Sequence, residues 1–533
     1  MTRHYSLDSL RVRERRIFGW GFCLDPSVPL TEGRLVVQLA DGREHAIALL
    51  PGGYREDLVA AYPDVPHAGA SGFMVQAKLP DRIAAGVARL EYLTPSGDGV
   101  VLSLPRFPDA YAPPEAIRLG DMAHRFRQVW GERGLVAALR AVARGAGRRF
   151  AAIRRRRDES PSPTADAVIV LDHGMGGGAN RYREERVRAL RGDAPVVVLA
   201  TPAVATLDYR VTRWSAEGAQ EASMDSQPAL LAFLEALGAS TIEVNSLVGF
   251  DDVEAVLAWL ARWRRGHSDR RLRLNVHDFH AVCPAFTLVD AGGRFCRIPS
   301  MEVCRRCLPA NAMSTLGLDT DRDPAAWRYS WSEVMALADD IVTFSPSSKA
   351  LLTQAHGGVG ADAMRIVPHA EGGAGVRAVR VAPRTPPVVA VVGHINRAKG
   401  AELLRAMAAA SAARGTPLTF TVLGTLEGGA GPSGALDVRG SYTRETLADR
   451  IEAEGAMLAF LPSICPETYS YVTDELMATG LPLAVLDRGA PAERVARYHR
   501  GRVLEGDAPG PLLDQLVDFA MALRAGDSKE SPR

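Results

Sequence analysis

The chain has 533 residues, 47% hydrophobic and 23% charged, with 63 lysines and arginines against 62 aspartates and glutamates for a formal net charge of +1. That length asks for three or four folded units, and the balanced charge gives no global positive field toward phosphate backbones, which excludes a nucleic-acid binder on bulk electrostatics. The segment Met1 to Trp20 has no apolar core of signal-peptide length, and no apolar run approaches the roughly 20 residues of a membrane span, so the expected location is cytoplasmic.

Residues 16–105 read as short alternating strands, for example Arg34 to Leu39 before the turn signal Asp41-Gly42, and Ala88 to Leu93. They predict a small accessory β-sandwich over residues 1–110, suited to an acceptor glycan, to another protein, or to packing alone. From Pro114 to about Arg157 the pattern turns helical and basic, ending in Arg154-Arg155-Arg156-Arg157, with Leu135, Ala138, Leu139, Val142 and Ala143 on one stripe. Residues 111–164 are therefore read as a solvated linker helix, with peripheral contact to an anionic membrane surface as its second use. The Ser-Pro run from Glu159 to Thr164 marks a boundary.

Beyond it, strands and helices alternate as in doubly wound sheets. Strands are expected at Ala167 to Asp172, Pro195 to Ala200, Thr241 to Ser246, Leu272 to Val276, Ile341 to Phe344 and Arg365 to Val367. A second series follows at Val388 to Val392, Thr419 to Leu423, Leu436 to Arg439, Met457 to Leu461 and Pro482 to Leu486. Two Rossmann-like α/β domains, 165–380 and 381–533, would face a cleft and take ligands at the carboxyl ends of their strands.

Polar and glycine-rich motifs follow these strands. His173-Gly174-Met175-Gly176-Gly177-Gly178-Ala179-Asn180 follows the first strand, and its glycines permit close backbone approach to a ligand. It lacks the spacing of a dinucleotide fingerprint and the Lys-Ser/Thr of a P-loop. Asn275-Val276-His277-Asp278 ends another strand in polar groups; His277 can donate to a sugar hydroxyl, and Asp278 can orient that ring or meet an acceptor. Four cysteines follow, Cys283, Cys296, Cys304 and Cys307, closing in C-x2-C. In a reducing compartment they predict a structural zinc site with no catalytic role, or a set of free thiols. Asp319-Thr320-Asp321 and Asp321-Arg322-Asp323 imitate a metal-binding Asp-x-Asp, but without a preceding strand they read as capping and solvated residues.

In the last 150 or so residues of the chain, Gly393-His394-Ile395-Asn396-Arg397-Ala398-Lys399-Gly400 leaves a strand and opens a helix, and Ile464 to Val495 carries Glu467 and Glu475 eight positions apart. On a helix that spacing spans roughly 12 Å and leaves the side chains within a quarter turn of each other. One carboxylate can then meet a hexose and the other a ribose, with a diphosphate between them over the backbone N–H groups of Thr468, Tyr469 and Ser470. By spacing alone the pair reads as two solvated helix residues.

The segment from Glu467 and Glu475 through Gly480-Leu481-Pro482 to Asp487, Gly489, Ala490, Glu493 and Arg494 resembles the Glu-x7-Glu signature of the retaining glycosyltransferases of family four, whose type B (GT-B) fold sets two Rossmann-like domains across a cleft. The resemblance implies that Glu467 contacts the donor sugar and Glu475 the ribose. It further implies that His277 contacts the donor hexose, that Gly177 and Gly178 lie against donor phosphate and acceptor, and that Lys399 neutralises the diphosphate. Gly393, Gly424, Gly440 and Tyr442 continue it around the nucleotide pocket, and Ser345-Pro346-Ser347 and Pro368-His369 match the last elements of the first α/β domain. Residues Gly19-Trp20-Gly21, Arg55-Glu56-Asp57 and Ser71-Gly72-Phe73 resemble an accessory β-domain of some polysaccharide-synthesis glycosyltransferases. The chain departs from the pattern at His394, where the family has arginine, and Arg397 offers a cation from another direction. The expected function is transfer of a sugar from a nucleotide-diphosphate donor to a surface-glycan or lipid-linked acceptor, with no catalytic metal. The runner-up is a non-catalytic glycan-binding or scaffold protein on a degenerate frame.

Overall fold

The computed structural model describes residues 4–107 and 166–530, less short stretches at 14, 27–31, 54–55, 66–67, 85, 94–98, 175–176, 204–205, 312–321, 370–372, 374, 383, 416 and 431–432. The expected linker helix with its membrane contact, and Gly176 of the glycine loop, lie outside the described residues.

The N-terminal unit holds eight strands, β1 (His4–Arg13), β2 (Arg16–Leu24), β3 (Glu32–Gln38), β4 (Glu44–Ala48), β5 (Leu50–Gly53), β6 (Gly72–Lys78), β7 (Gly86–Leu93) and β8 (Gly99–Phe107). They form two antiparallel sheets, ordered β1-β2-β6-β5 and β4-β3-β7-β8. Alternation turns Leu10, Ile17 and Val75 of one sheet and Leu35, Leu90 and Leu104 of the other into one shared core. This unit touches the next one through Arg16, whose guanidinium pairs with Asp251 at 2.8 Å and donates to the Leu207 carbonyl.

The second unit is an eight-stranded sheet of β9 (Ala167–Leu171), β10 (Val196–Ala203), β11 (Asp208–Ser215), β12 (Gly218–Met224), β13 (Thr241–Val244), β14 (Arg271–Asn275), β15 (Asp340–Thr343) and β16 (Met364–Ile366). Its order is β12-β11-β10-β9-β13-β14-β15-β16, parallel from β10 to β16 with an antiparallel hairpin at the β12 edge. The third unit is a parallel sheet of β17 (Val388–Ile395), β18 (Thr419–Leu426), β19 (Leu436–Val438), β20 (Ala456–Leu461), β21 (Leu483–Leu486) and β22 (Gly501–Leu504), ordered β19-β18-β17-β20-β21-β22. Both sheets reverse winding beside their first strand, at β9/β13 and β17/β20, which is where open α/β sheets leave a crevice for ligands.

Burial on both faces explains the near-continuous apolar runs of these parallel strands. In β9, Ala167, Ile169 and Leu171 enter one core while Val168 and Val170 enter another. Likewise in β20, Leu458 and Phe460 face one side and Ala459 and Leu461 the other. Each such Leu, Ile or Phe side chain contributes about 1.5–3 kcal/mol by leaving water. Every strand expected in the two α/β units is present, with its ends within three residues of expectation. Three were not foreseen. The β11–β12 hairpin is largely polar on its outer strand, and β22 offers only Val503 and Leu504 as an apolar signal. Among the described residues no helix is long and apolar enough to cross a membrane.

Candidate functional site

A cavity of about 570 Å³ opens between the two α/β sheets, at the carboxyl ends of their strands. From the first sheet it receives Gly177 and Gly178, which start the helix Gly177–Asp193, and His277 and Asp278 beyond β14. From the second it receives Gly393, His394, Gly424 and Thr425 at the ends of β17 and β18, then Lys399 and the run Glu467 to Val472.

Glycine lets β17 and β18 pack this closely. Gly393 and Gly424 are register partners, and a Cβ on Gly424, which has φ +141°, would stand 1.9 Å from the Gly393 carbonyl oxygen. The loop after β20 is held in a similar way. Ala490 N donates to the Glu467 carbonyl at 2.9 Å, and a Cβ on Gly489 would meet the Glu467 backbone at 2.7 Å. Ser470 has φ +85°, a conformation costly for a residue with a Cβ. Arg494 secures it: its guanidinium donates to the Tyr469 and Ser470 carbonyls, pairs with Asp474, and lies over the Tyr469 ring.

Glu467 is therefore a loop residue, and the helix begins only at Tyr471 (Tyr471–Ala478). The helical estimate of roughly 12 Å between Glu467 and Glu475 does not describe this geometry, because four residues of strained loop replace the first turn. The Glu467 carboxylate lies 3.3 Å from Lys399 Nζ, and this anion holds the ammonium pKa above its ordinary value. Glu475 points behind the cavity wall. It is 7% exposed, receives Arg444 Nε and Nη2 at 3.2 Å and Tyr442 Oη at 3.5 Å, and burial raises its pKa against the pull of Arg444. Tyr442 lines the cavity; Glu475 does not.

His277 sits in an aromatic cluster. Its ring stacks on Phe344 at 4.5 Å and meets the edge of Tyr182 at 4.6 Å. Burial drives its pKa well down, so the ring is neutral, and its Nε2 is buried without a protein partner. The Thr468 hydroxyl donates to the His277 carbonyl at 2.9 Å, tying the two α/β units together across the cleft. Asp278 does not orient that imidazole. Its oxygens accept from the Ser246 hydroxyl at 2.7 Å and His280 N at 2.8 Å, and burial raises its pKa to about 6.

Arg397 sends its guanidinium away from the cavity to Glu402, at 2.9 and 2.8 Å. The zinc expectation finds no support. Among the described residues no three His, Cys, Asp or Glu side chains are gathered to hold a metal ion. Cys304 Sγ accepts from Arg328 and Cys307 Sγ from Ala291 N, and burial pushes the Cys283 thiol up to about 12. Of the Asp-x-Asp imitations, Asp323 caps the helix Pro324–Leu337, as expected of a capping residue.

Sequence reasoning overlooked several side chains at the cavity. Thr425, Ser441 and Tyr471 line it without a motif to announce them. His369 was noticed only as a sheet terminus; its ring stacks on Phe344 at 4.4 Å, and its Nδ1 meets the Tyr471 hydroxyl at 2.9 Å.

The site thus combines a neutral imidazole, a carboxylate–ammonium pair, glycine-lined backbone and a helix N-terminus in one cavity. Two doubly wound domains sharing such a cleft form a GT-B-like architecture. No family model matches the chain, and no curated protein matches it. Among solved structures, TarM shares 11% identity over 64% of this chain and 61% of its own, with a TM-score of 0.35. HepE of Anabaena in complex with UDP shares 13% over 68% and 95%, at 0.38, and a glycosyltransferase from Rickettsia africae shares 11% over 68% and 90%, at 0.41. The chain spans about three fifths of the TarM length, and likenesses this distant carry no inference about activity.

Proposed function

We propose that this chain is a retaining glycosyltransferase that moves a sugar from a nucleotide-diphosphate sugar to a hydroxyl of a surface-glycan or lipid-linked acceptor. The observation that carries the reading is convergence: Gly177, Gly178 and His277 from one sheet meet Gly393, Gly424, Lys399 and Glu467 from the other around one cavity. Its volume suits a ligand of this size.

In this reading Glu467 accepts hydrogen bonds from hydroxyls of the transferred sugar, and His277 offers its unpartnered Nε2 to the same sugar. Lys399 and the N–H groups from Thr468 to the first turn of helix Tyr471–Ala478 receive the diphosphate. The nucleoside lies toward Ser441 and Tyr442, with Glu475 and Arg444 fixing the wall behind the ribose. The anomeric carbon–oxygen bond breaks with its electron pair passing to the diphosphate. The acceptor oxygen bonds to the anomeric carbon on the same face, and its proton goes to the departing phosphate oxygen. The residues contribute orientation and stabilisation of the leaving charge, which are the large terms in such transfers.

A panel of nucleotide sugars tested by thermal shift examines this directly. The true donor binds the folded state and raises the melting temperature with the logarithm of its concentration over Kd once that ratio is well above one. A flat response to every member of a panel spanning uridine, guanosine, adenosine and thymidine donors at millimolar concentration overturns the proposal.

A further inference from the structure

The donor site proposed above is short of positive charge. A diphosphate diester brings two negative charges, and the only lysine lining the cavity, Lys399, is already paired with Glu467 at 3.3 Å. Four nearby arginines are committed elsewhere: Arg181 to Glu185 and the Tyr471 ring, Arg397 to Glu402, Arg444 to Glu475, and Arg494 to Asp474 and two carbonyls. Among the described residues none of the four lines the cavity.

The remaining basic side chains there are histidines. His277 is half-buried and stacked on Phe344, and His369 has Nδ1 engaged by Tyr471 in the same stack. His394 is different. It ends β17, beside Gly393, is exposed to the cleft, and has Nδ1 against the Thr425 hydroxyl of β18. We propose that His394 is a ligand of the donor diphosphate and takes up one proton from solvent as the donor binds.

The charges acting on this ring in the free protein are Glu427, which favours the proton, and Lys399, which opposes it. Partial burial adds to the opposition, so His394 is held below its ordinary value and is neutral at pH 7.5. A dianion arriving between Lys399 and His394 reverses that balance. The inference rests on the donor reading, and it assigns the missing cation to a group that is charged only when the donor is present.

The test is calorimetry with the nucleotide sugar that gives the largest thermal stabilisation, in two buffers of different ionisation enthalpy at pH 7.5. The diphosphate diester has no titrating group at that pH. Wild type is expected to take up between about half and one proton per site and to bind about tenfold more weakly at pH 8.5 than at pH 6.5. His394→Arg carries its charge at all times, so it should take up none and show a flat profile. His394→Gln should match wild type at pH 8.5 and lack the gain at low pH, which keeps the test decisive if the arginine does not fit. Absence of proton uptake by wild type, or equal uptake by both variants, overturns the proposal while leaving the donor site standing. Absence of binding by any nucleotide sugar overturns both.

Discussion

Lys399 and Glu467 face each other at 3.3 Å from the loops that follow two neighbouring strands, β17 and β20, of the C-terminal sheet. Backbone contact fixes the approach: Ile464 N and Cys465 N both donate to the Ala398 carbonyl, and a Cβ on Gly400 would stand 2.1 Å from the Pro462 carbonyl oxygen. In the proposed function the ammonium stays beside this carboxylate until the donor diphosphate enters the cleft.

Replacing Lys399 by alanine should lower kcat for sugar transfer by about 10²-fold or more, the usual cost of losing one charge-stabilising group in a water-poor site. Lys399→Arg should recover part of it. Steady-state kinetics with the identified donor measures both.

Gly489→Ala places a methyl group 2.7 Å from the Glu467 backbone at a φ of +66°. The expected result is a loss of about 1–3 kcal/mol in stability. Activity should fall further than thermal stability accounts for, because the displaced loop carries Glu467. Denaturation and kinetics on the same preparation separate the two.

Arg494→Leu leaves Asp474 and the carbonyls of Tyr469 and Ser470 without their guanidinium. Breaking a half-buried pair of this kind costs about 3 kcal/mol, measured by chemical denaturation. Ser470 should then relax from its positive φ, and donor affinity should fall with it.

Burial lifts Asp278 from 3.8 to about 6. The folded chain therefore holds this proton more tightly than the unfolded chain, and the contribution of this one group to stability is greatest below pH 3.8, declines between 3.8 and 6, and is level above that. The ionised form carries a cost on the order of 3 kcal/mol. Asp278→Asn keeps an acceptor for His280 N and removes the charge, so its unfolding free energy should exceed that of wild type at pH 7.5 and match it at pH 4. Asp172, raised by burial to about 7, adds a parallel decline that this variant leaves intact.

Much of this was legible in the sequence because parallel strands buried on both faces write themselves as Val, Ile and Leu runs ending in glycine or polar residues. Ala167 to Leu171 and Ala456 to Leu461 are such runs, and the motif residues follow them directly. The turn of Glu475 away from the cavity was not legible, since its partner Arg444 lies 31 positions away with nothing to mark it. Nor was the strained turn at Ser470, which depends on Arg494 reaching back 24 positions. The cysteine spacing was less informative: Cys304 and Cys307 of the C-x2-C lie on the helix Met301–Cys307, where their sulfurs accept from Arg328 and Ala291 N.

The central claim is that Glu467 and Lys399 form the floor of a donor-sugar site. Donor turnover by wild type and Glu467→Ala, followed by NMR at the anomeric proton, tests it most directly. The account predicts release or transfer of the sugar with its anomeric configuration kept by wild type, and turnover at least about 10²-fold slower in Glu467→Ala with the fold intact. Equal turnover by the two proteins would contradict it.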